Sequence, residues 1–414
     1  MSRTSFAVPS PFALLAAVAI VLAGVLAGSM IQGCSSGGGP FRGLSPSRAP
    51  EEMRGIWVTR WDYRSAVDVE RAIDVAAEAG FTDIFWQVRG QADAYYRSTL
   101  EPWGEELFRD KPNATDPGFD PLAVAVRRAH QQGVRLHAWI NVYPLWKGTG
   151  QPKDPRHPFI RRPQWRLIDQ TGQPQPQTDH YVVANPTDPA VQAHIAAVCR
   201  DIVSRYAIDG LHLDYVRFVG DSLPEGKIYP ADPASITRFY KATGHRTLST
   251  PADRRAHEGW VRDEITRLVE RISSESRRIR PRIELSAAVW RDPDLARETQ
   301  LQDAARWLKQ GTLDRVLPMI YTDDNAVFVR DLNAWLEVAG KKPVTPGIGA
   351  YKHQPTQTLE QIRLSEPGAG YCLFAFATIF ESVNPFEPKD QASIALRTAR
   401  RLAIEAVQGA VGTE

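Results

Sequence analysis

The sequence predicts an α/β chain folded as a (β/α)8 TIM barrel with long loops after strands two, three and four. Three observations carry this expectation. From Met53 onward, eight short β-rich runs alternate with amphipathic stretches, the order that builds βα units on a parallel sheet. The surplus connecting length follows strands rather than helices, which places it on one rim. No glycine-rich phosphate loop follows the first run, as a doubly wound nucleotide-binding sheet would need.

Taken in order, the strands are RGIWVTRW (54–61), TDIFWQV (82–88), VRLHAWIN (134–141), DGLHLDYV (209–216), RIELSAAVW (282–290), DRVLPMIY (314–321), PVTPGIG (343–349) and GYCLFAFA (370–377). Between them lie the helical patterns VDVERAIDVAAEAG, PLAVAVRRAHQQG, PAVQAHIAAVCRDIVSRY, VRDEITRLVERISSESRRI, LQDAARWLKQG, AVFVRDLNAWLEVAG and LEQIRL, with a last one from Lys389 to Val407. Gly80, Gly133 and Gly311 stand where a helix ends on a left-handed residue. The three long loops run from Arg89 to Phe119, from Val142 to Pro189 and from Arg217 to Asp253. They are rich in Trp, Tyr, Asp and Arg, and loops of such length without structure of their own are usually functional.

The first 34 residues differ in kind: Arg3, an apolar run from Phe12 to Ala27, then small residues, the order of a secretory signal. Ile31-Gln32-Gly33-Cys34 resembles the lipobox of bacterial lipoproteins, which implies acylation at Cys34 and a lipid anchor to a membrane, with the body on its periplasmic or extracellular face. A retained membrane helix is the competing reading. Residues 35–50, Gly/Ser/Pro-rich, read as a flexible linker, and 51–410 as the barrel. Fifty basic against 48 acidic residues, scattered rather than striped, give no nucleic-acid footprint. Cys199 and Cys372 lack metal-site spacing and read as buried thiols.

Side chains alternate faces along a strand. In the fourth run Leu211, Leu213 and Tyr215 share one parity and should meet helices, which leaves His212 and Asp214 in the bore with Asp214 nearer the rim. The same rule turns His137, Trp139 and Asn141 inward, along with Gln87 and Arg89, Trp57, Thr59 and Trp61, and Met319, Tyr321 and Asp323. A barrel packed for stability alone would show Val, Ile and Leu there. Each group also has a bland role: His137 as a satisfied interior histidine, Trp57 and Trp139 as filler, Arg217 as the neutraliser of Asp214. Asp214 resists that treatment, because an inward carboxylate at the C-terminal end of a barrel strand costs desolvation unless it is used. Trp57, Arg89, Asp93, His137, Asn141, Tyr143, His212, Arg217, Trp290 and Tyr321 are the expected substrate-binding residues.

The chemistry narrows by elimination. The first strand has no His-x-His for a metal, and no G-x-S-x-G elbow exists for acyl transfer. A carboxylate lined by Trp, Tyr, Asn and Arg suits sugars, and paired carboxyls are the usual machinery of glycoside hydrolysis. No metal and no cofactor is implied.

The motifs RGIWVTRWDY, GFTDIFWQVRGQADAYYRSTLEPW, LHAWINVYP, VANPTDPAV, DGLHLDYVRF and DRVLPMIYTDD resemble, in order, those of the bacterial glycosyl-hydrolase-like barrel family, over about residues 53 to 380. That family includes lipoproteins that cleave peptide-free peptidoglycan strands. The resemblance implies a glycosidase acting on a polymeric glycan, with Asp214 the principal carboxylate. Two departures stand out. Many members carry a second acid where this chain has Tyr215, and the catalytic glutamate of chitinase-type barrels would fall at Val216. Asp323 and Asp324 after the sixth strand are first choice for the second carboxyl, with Asp93, Glu101 and Asp292 as alternatives. Two other classes compete: a glycan-binding surface lipoprotein without hydrolysis, and a lipid-anchored factor that holds a protein partner on its rim.

Overall fold

The computed structural model describes residues 52–111, 113–219 and 223–411, with side chains to residue 408. Cys34, the signal segment and the linker lie outside the described residues.

Eight parallel strands close into a barrel: β1 (Met53–Val58), β2 (Asp83–Arg89), β3 (Arg135–Asn141), β6 (Gly210–Asp214), β7 (Glu284–Val289), β8 (Arg315–Ile320), β9 (Gly347–Ile348) and β10 (Gly370–Leu373). The order around it is β1-β10-β9-β8-β7-β6-β3-β2. The expected barrel is therefore present, with each strand where its β-rich run lies. The loop after β3 contributes what periodicity did not show, a two-stranded antiparallel ribbon of β4 (Pro144–Lys147) and β5 (Tyr181–Val183).

The helices are α1 (Ala66–Glu78), α2 (Pro121–Gln131), α3 (Pro158–Arg161), α4 (Pro189–Arg205), α5 (Pro233–Thr243), α6 (Pro251–Ile279), α7 (Pro293–Glu298), α8 (Ala304–Lys309), α9 (Asn325–Ala339), α10 (Pro355–Leu364) and α11 (Gln391–Val411). Many begin on one local device. Asp120, Asp188, Asp232 and Asp292 each precede a proline and accept hydrogen bonds from the first free backbone N–H groups, while the proline fills a position whose N–H would be idle. α6 starts ten residues before the expected Val261, because Thr250 and Asp253 form a reciprocal capping box around Pro251. α3, α5 and α7 are further additions to the expected set.

Two apolar clusters sandwich the barrel wall. The larger, outside, holds Ile56, Ile84, Leu136, Leu211, Leu213, Leu285 and Ile320 against the helices. The smaller fills the bore with Met53, Trp57, Phe85, Trp139, Leu317 and Cys372. Below it, Arg135 pairs with Asp83 at 2.7 Å and with Glu284 at 2.8 Å, and Arg315 reaches Glu284 at 2.8 Å. Gly210 is required here, since a Cβ would stand 2.0 Å from His137 Nδ1.

Candidate functional site

At the C-terminal rim a cleft of about 420 Å3 opens among the loops after β6, β7, β8 and β9 and the β4–β5 ribbon. Its wall is aromatic: Tyr181, Tyr215, Trp290, Tyr321 and Tyr351. Tyr181 and Tyr215 meet edge to face at 5.2 Å, and Tyr321 lies stacked on Phe374 at 5.4 Å.

Asp214 ends β6 beside this wall, 7 % exposed and level with Asn141 of β3. Its Oδ1 accepts from the Tyr215 backbone N–H at 2.6 Å and from Arg217 Nη1 at 3.1 Å. The Arg217 guanidinium in turn lies 4.4 Å from the Tyr215 ring centroid and 5.7 Å from that of Trp290. Desolvation, and after it the charge of Asp214, hold the Tyr321 phenol well above its usual range, so that it stays a proton donor.

Parity fails at Tyr215. Its φ of +51°, a conformation a side chain other than glycine adopts at a cost of about 1–3 kcal/mol, breaks the strand and turns the ring into the cleft instead of toward the helices. This position lines the site while still packing against the outer cluster.

The expected site residues separate into layers. Arg217, Trp290 and Tyr321 line the cleft with Asp214 beside them. Trp57, His137, Asn141 and His212 lie in the bore. His212, wholly buried, accepts from Trp57 Nε1 at 3.3 Å and lies 2.9 Å from Ser286 Oγ. Burial, with His137 next, keeps that imidazole neutral. His137 contacts Asp83 at 2.8 Å. Asn141 spends its amide on Gly90 O and on the Trp139 indole, each at 3.0 Å. These four support the cleft from beneath.

Arg89 is a correction. The β2–β3 register shifts between Gln87 and Arg89, so that Arg89 pairs with Ile140, whose side chain faces out. A one-residue bulge moves every later side chain to the other face. Arg89 accordingly pairs with Glu101 at 2.8 Å, and Glu101 also meets His194 of α4 at 2.9 Å. Tyr143 is likewise packed in the outer cluster, 1 % exposed.

The carboxyls offered as partners to Asp214 differ sharply. Asp324 and Asp292 cap α9 and α7. Glu101, desolvated but held by Arg89 and His194, is drawn down to about 2 and is a fixed anion. Asp323 is exposed at the start of the loop after β8. Asp93 accepts from the Gly90 and Gln91 N–H groups at 3.1 and 2.9 Å while its Oδ2 is buried without a partner. Burial, with Glu106 adding to it, pushes Asp93 up to about 6.

Sequence reasoning missed Lys147, Tyr181, Arg291, Tyr351 and Lys352 in the cleft. For Tyr181 and Lys147 the available signal was the alternation in the ribbon strands, too short to stand out.

A closed parallel barrel with a carboxylate and an aromatic cleft at its C-terminal rim places the chain among (β/α)8 barrels whose site is built on that rim. Residues 52–363 match the family described as Glycosyl hydrolase-like 10, and the chain belongs to it. Over 312 residues, 66 % of each chain, it is 26 % identical to glycosyl hydrolase DigH of Escherichia coli K12. It is 24 % identical to glycosyl hydrolase YngK of Bacillus subtilis over 76 % of this chain and 63 % of that one. The matched region thus spans slightly under two thirds of these relatives. Among solved structures, the glycoside hydrolase domain of PgaB from Bordetella bronchiseptica superposes with a TM-score of 0.59 at 14 % identity, covering 85 % of this chain and 99 % of that one. A β-galactosidase from Halorubrum lacusprofundi gives 0.59 at 13 % identity, covering 87 % and 58 %. Both likenesses are of fold.

Proposed function

We propose that the chain is a glycoside hydrolase that cleaves a polymeric glycan, bacterial peptidoglycan strands in particular, by a two-carboxylate mechanism with Asp214 as the principal carboxylate. The observation that carries this reading is the position of Asp214: the end of a barrel strand, ion-paired to Arg217, beside five aromatic rings able to stack on pyranose faces. Family membership supports the class of reaction, and the relatives' names support hydrolysis. Lipidation at Cys34, outside the cytoplasmic membrane, would place the site beside that polymer.

Asp323 is the second carboxyl by exposure and freedom from capping. Asp93 is a second reading, favoured by its raised proton affinity, the property a general acid needs. The pH profile separates them: an alkaline limb near pH 6 that vanishes in Asp93→Asn assigns the acid to Asp93, and a limb unmoved by that change assigns it elsewhere.

The test of the whole reading is turnover. The full chain in mild detergent, given peptide-free peptidoglycan strands, should release shorter strands. Asp214→Asn should lower the rate by roughly a thousandfold or more, comparable to the loss of an essential acid-base or nucleophilic group. Saturable binding with no cleavage by either protein would establish the competing reading, a glycan-binding protein on a barrel scaffold.

A further inference from the structure

The cleft wall carries more positive charge than its own carboxylates neutralise. Lys147, Arg217, Arg291 and Lys352 face it, against Asp179, the flanking Asp214 and, on the reading above, Asp323. Arg217 is matched by Asp214 at 3.1 Å. The other three are not matched in that way. Lys147 Nζ lies 5.6 Å from the Tyr181 ring centroid and has no ion pair among the described residues. Lys352 Nζ donates to the Tyr321 carbonyl at 3.0 Å, which fixes its position without cancelling its charge. Arg291 Nε stands 3.5 Å from Asp331 Oδ2, on a carboxylate whose other oxygen already takes bonds of 2.9 and 2.6 Å from Arg330. The chain as a whole carries a net charge of only +2, so this excess is local.

Cations and rings are also paired. Lys147 sits over Tyr181, and Lys352 lies 5.9 Å from the centroid of Tyr351. A pyranose stacked on either tyrosine brings its ring substituents to an ammonium group. A neutral sugar gains a hydrogen bond to a hydroxyl from that neighbour, whereas an anionic substituent gains a hydrogen bond and an ion pair together.

We propose that this rim selects glycans whose sugars bear carboxylates, with Lys147, Arg291 and Lys352 as the specificity-determining residues. The proposal rests on the glycan-hydrolase reading above and adds the charge of the substrate. Complementary charge of this kind acts on encounter and binding rather than on the chemical step.

The test compares peptide-free peptidoglycan strands with the same strands after their carboxyl groups have been reduced to primary alcohols, so that backbone and linkage are unchanged. Cleavage is measured with the full chain in detergent, and binding with its Asp214→Asn variant. We expect KM and Kd about tenfold higher for the reduced strands, with kcat little changed, and a preference that shrinks as salt rises. Lys147→Gln with Lys352→Gln should raise KM for native strands by a similar factor and bring the ratio of KM for reduced to native strands close to one, and Lys→Arg at both positions should restore that ratio. Cleavage of both strands with equal KM overturns the charge proposal and leaves the hydrolase standing. Cleavage of neither, with native strands still bound more tightly, overturns the hydrolase and supports charge selection. Equal binding without cleavage overturns both.

Discussion

Asp93 and Glu101 lie eight residues apart in one loop and are driven in opposite directions: burial raises both, but Arg89 and His194 outweigh it at Glu101, whereas at Asp93 the charge of Glu106 adds to burial and Arg60 offsets only part of it. Asp93 binds its proton more tightly in the fold than in the unfolded chain. Its contribution to stability is therefore complete below about pH 4 and is lost as pH rises through about 6, by up to about 3 kcal/mol. Asp93→Asn keeps an acceptor for Gly90 and Gln91 and should be the more stable protein at pH 8, with the wild-type decline between pH 4 and 6 absent from its denaturant midpoints. Superimposable curves would contradict this account. For Glu101 the sign reverses: a lowered value gives stability present above about pH 4.5 and lost toward pH 2. Glu101→Gln strands Arg89 in the wall, 3 % exposed, and should cost about 3–5 kcal/mol in urea unfolding at pH 7. A change below about 1 kcal/mol would mean that the pair is not the wall's anchor.

At the scale of elements, periodicity reads a strand only as far as its regularity holds. Leu211 and Leu213 out, His212 in, follows from spacing alone and holds in the structure. The reading breaks where the backbone does, at the β2 bulge that sends Arg89 outward and at the positive φ that brings Tyr215 in. Neither is encoded by hydrophobic alternation; each depends on what the neighbouring strand and loop demand. Helix starts are encoded locally: the Asp-Pro pairs and Thr250-x-x-Asp253 are signals with a physical basis. Trp57 and His212 satisfy each other in the bore, and His137 is held there by Asp83. Thr250→Ala removes one half of a capping box and should destabilise the protein by about 0.5–2 kcal/mol. The loss should appear first as faster amide exchange over residues 252–254, and unchanged exchange there would show that tertiary packing alone sets where α6 begins.

For the whole molecule, the region matched by the family ends at residue 363, whereas the barrel closes only with β10. That strand bonds to β1 from Met53↔Gly370 to Ile56↔Leu373 and to β9 on its other side. A chain ending at 363 leaves both neighbours with open edges, and open edges invite association with other chains. It should lack a cooperative thermal transition and the near-ultraviolet dichroism of packed tryptophans; a sharp melt would show that seven strands suffice.

The packed bore has a further consequence. Trp57, Phe85, His212, Leu317 and Cys372 stop it between the cleft and the ionic floor, each at most 2 % exposed. The protein is a basin without a drain: whatever reaches Asp214 arrives and departs by the same mouth. For the hydrolase proposed above, a long glycan then rests across the opening instead of threading through it.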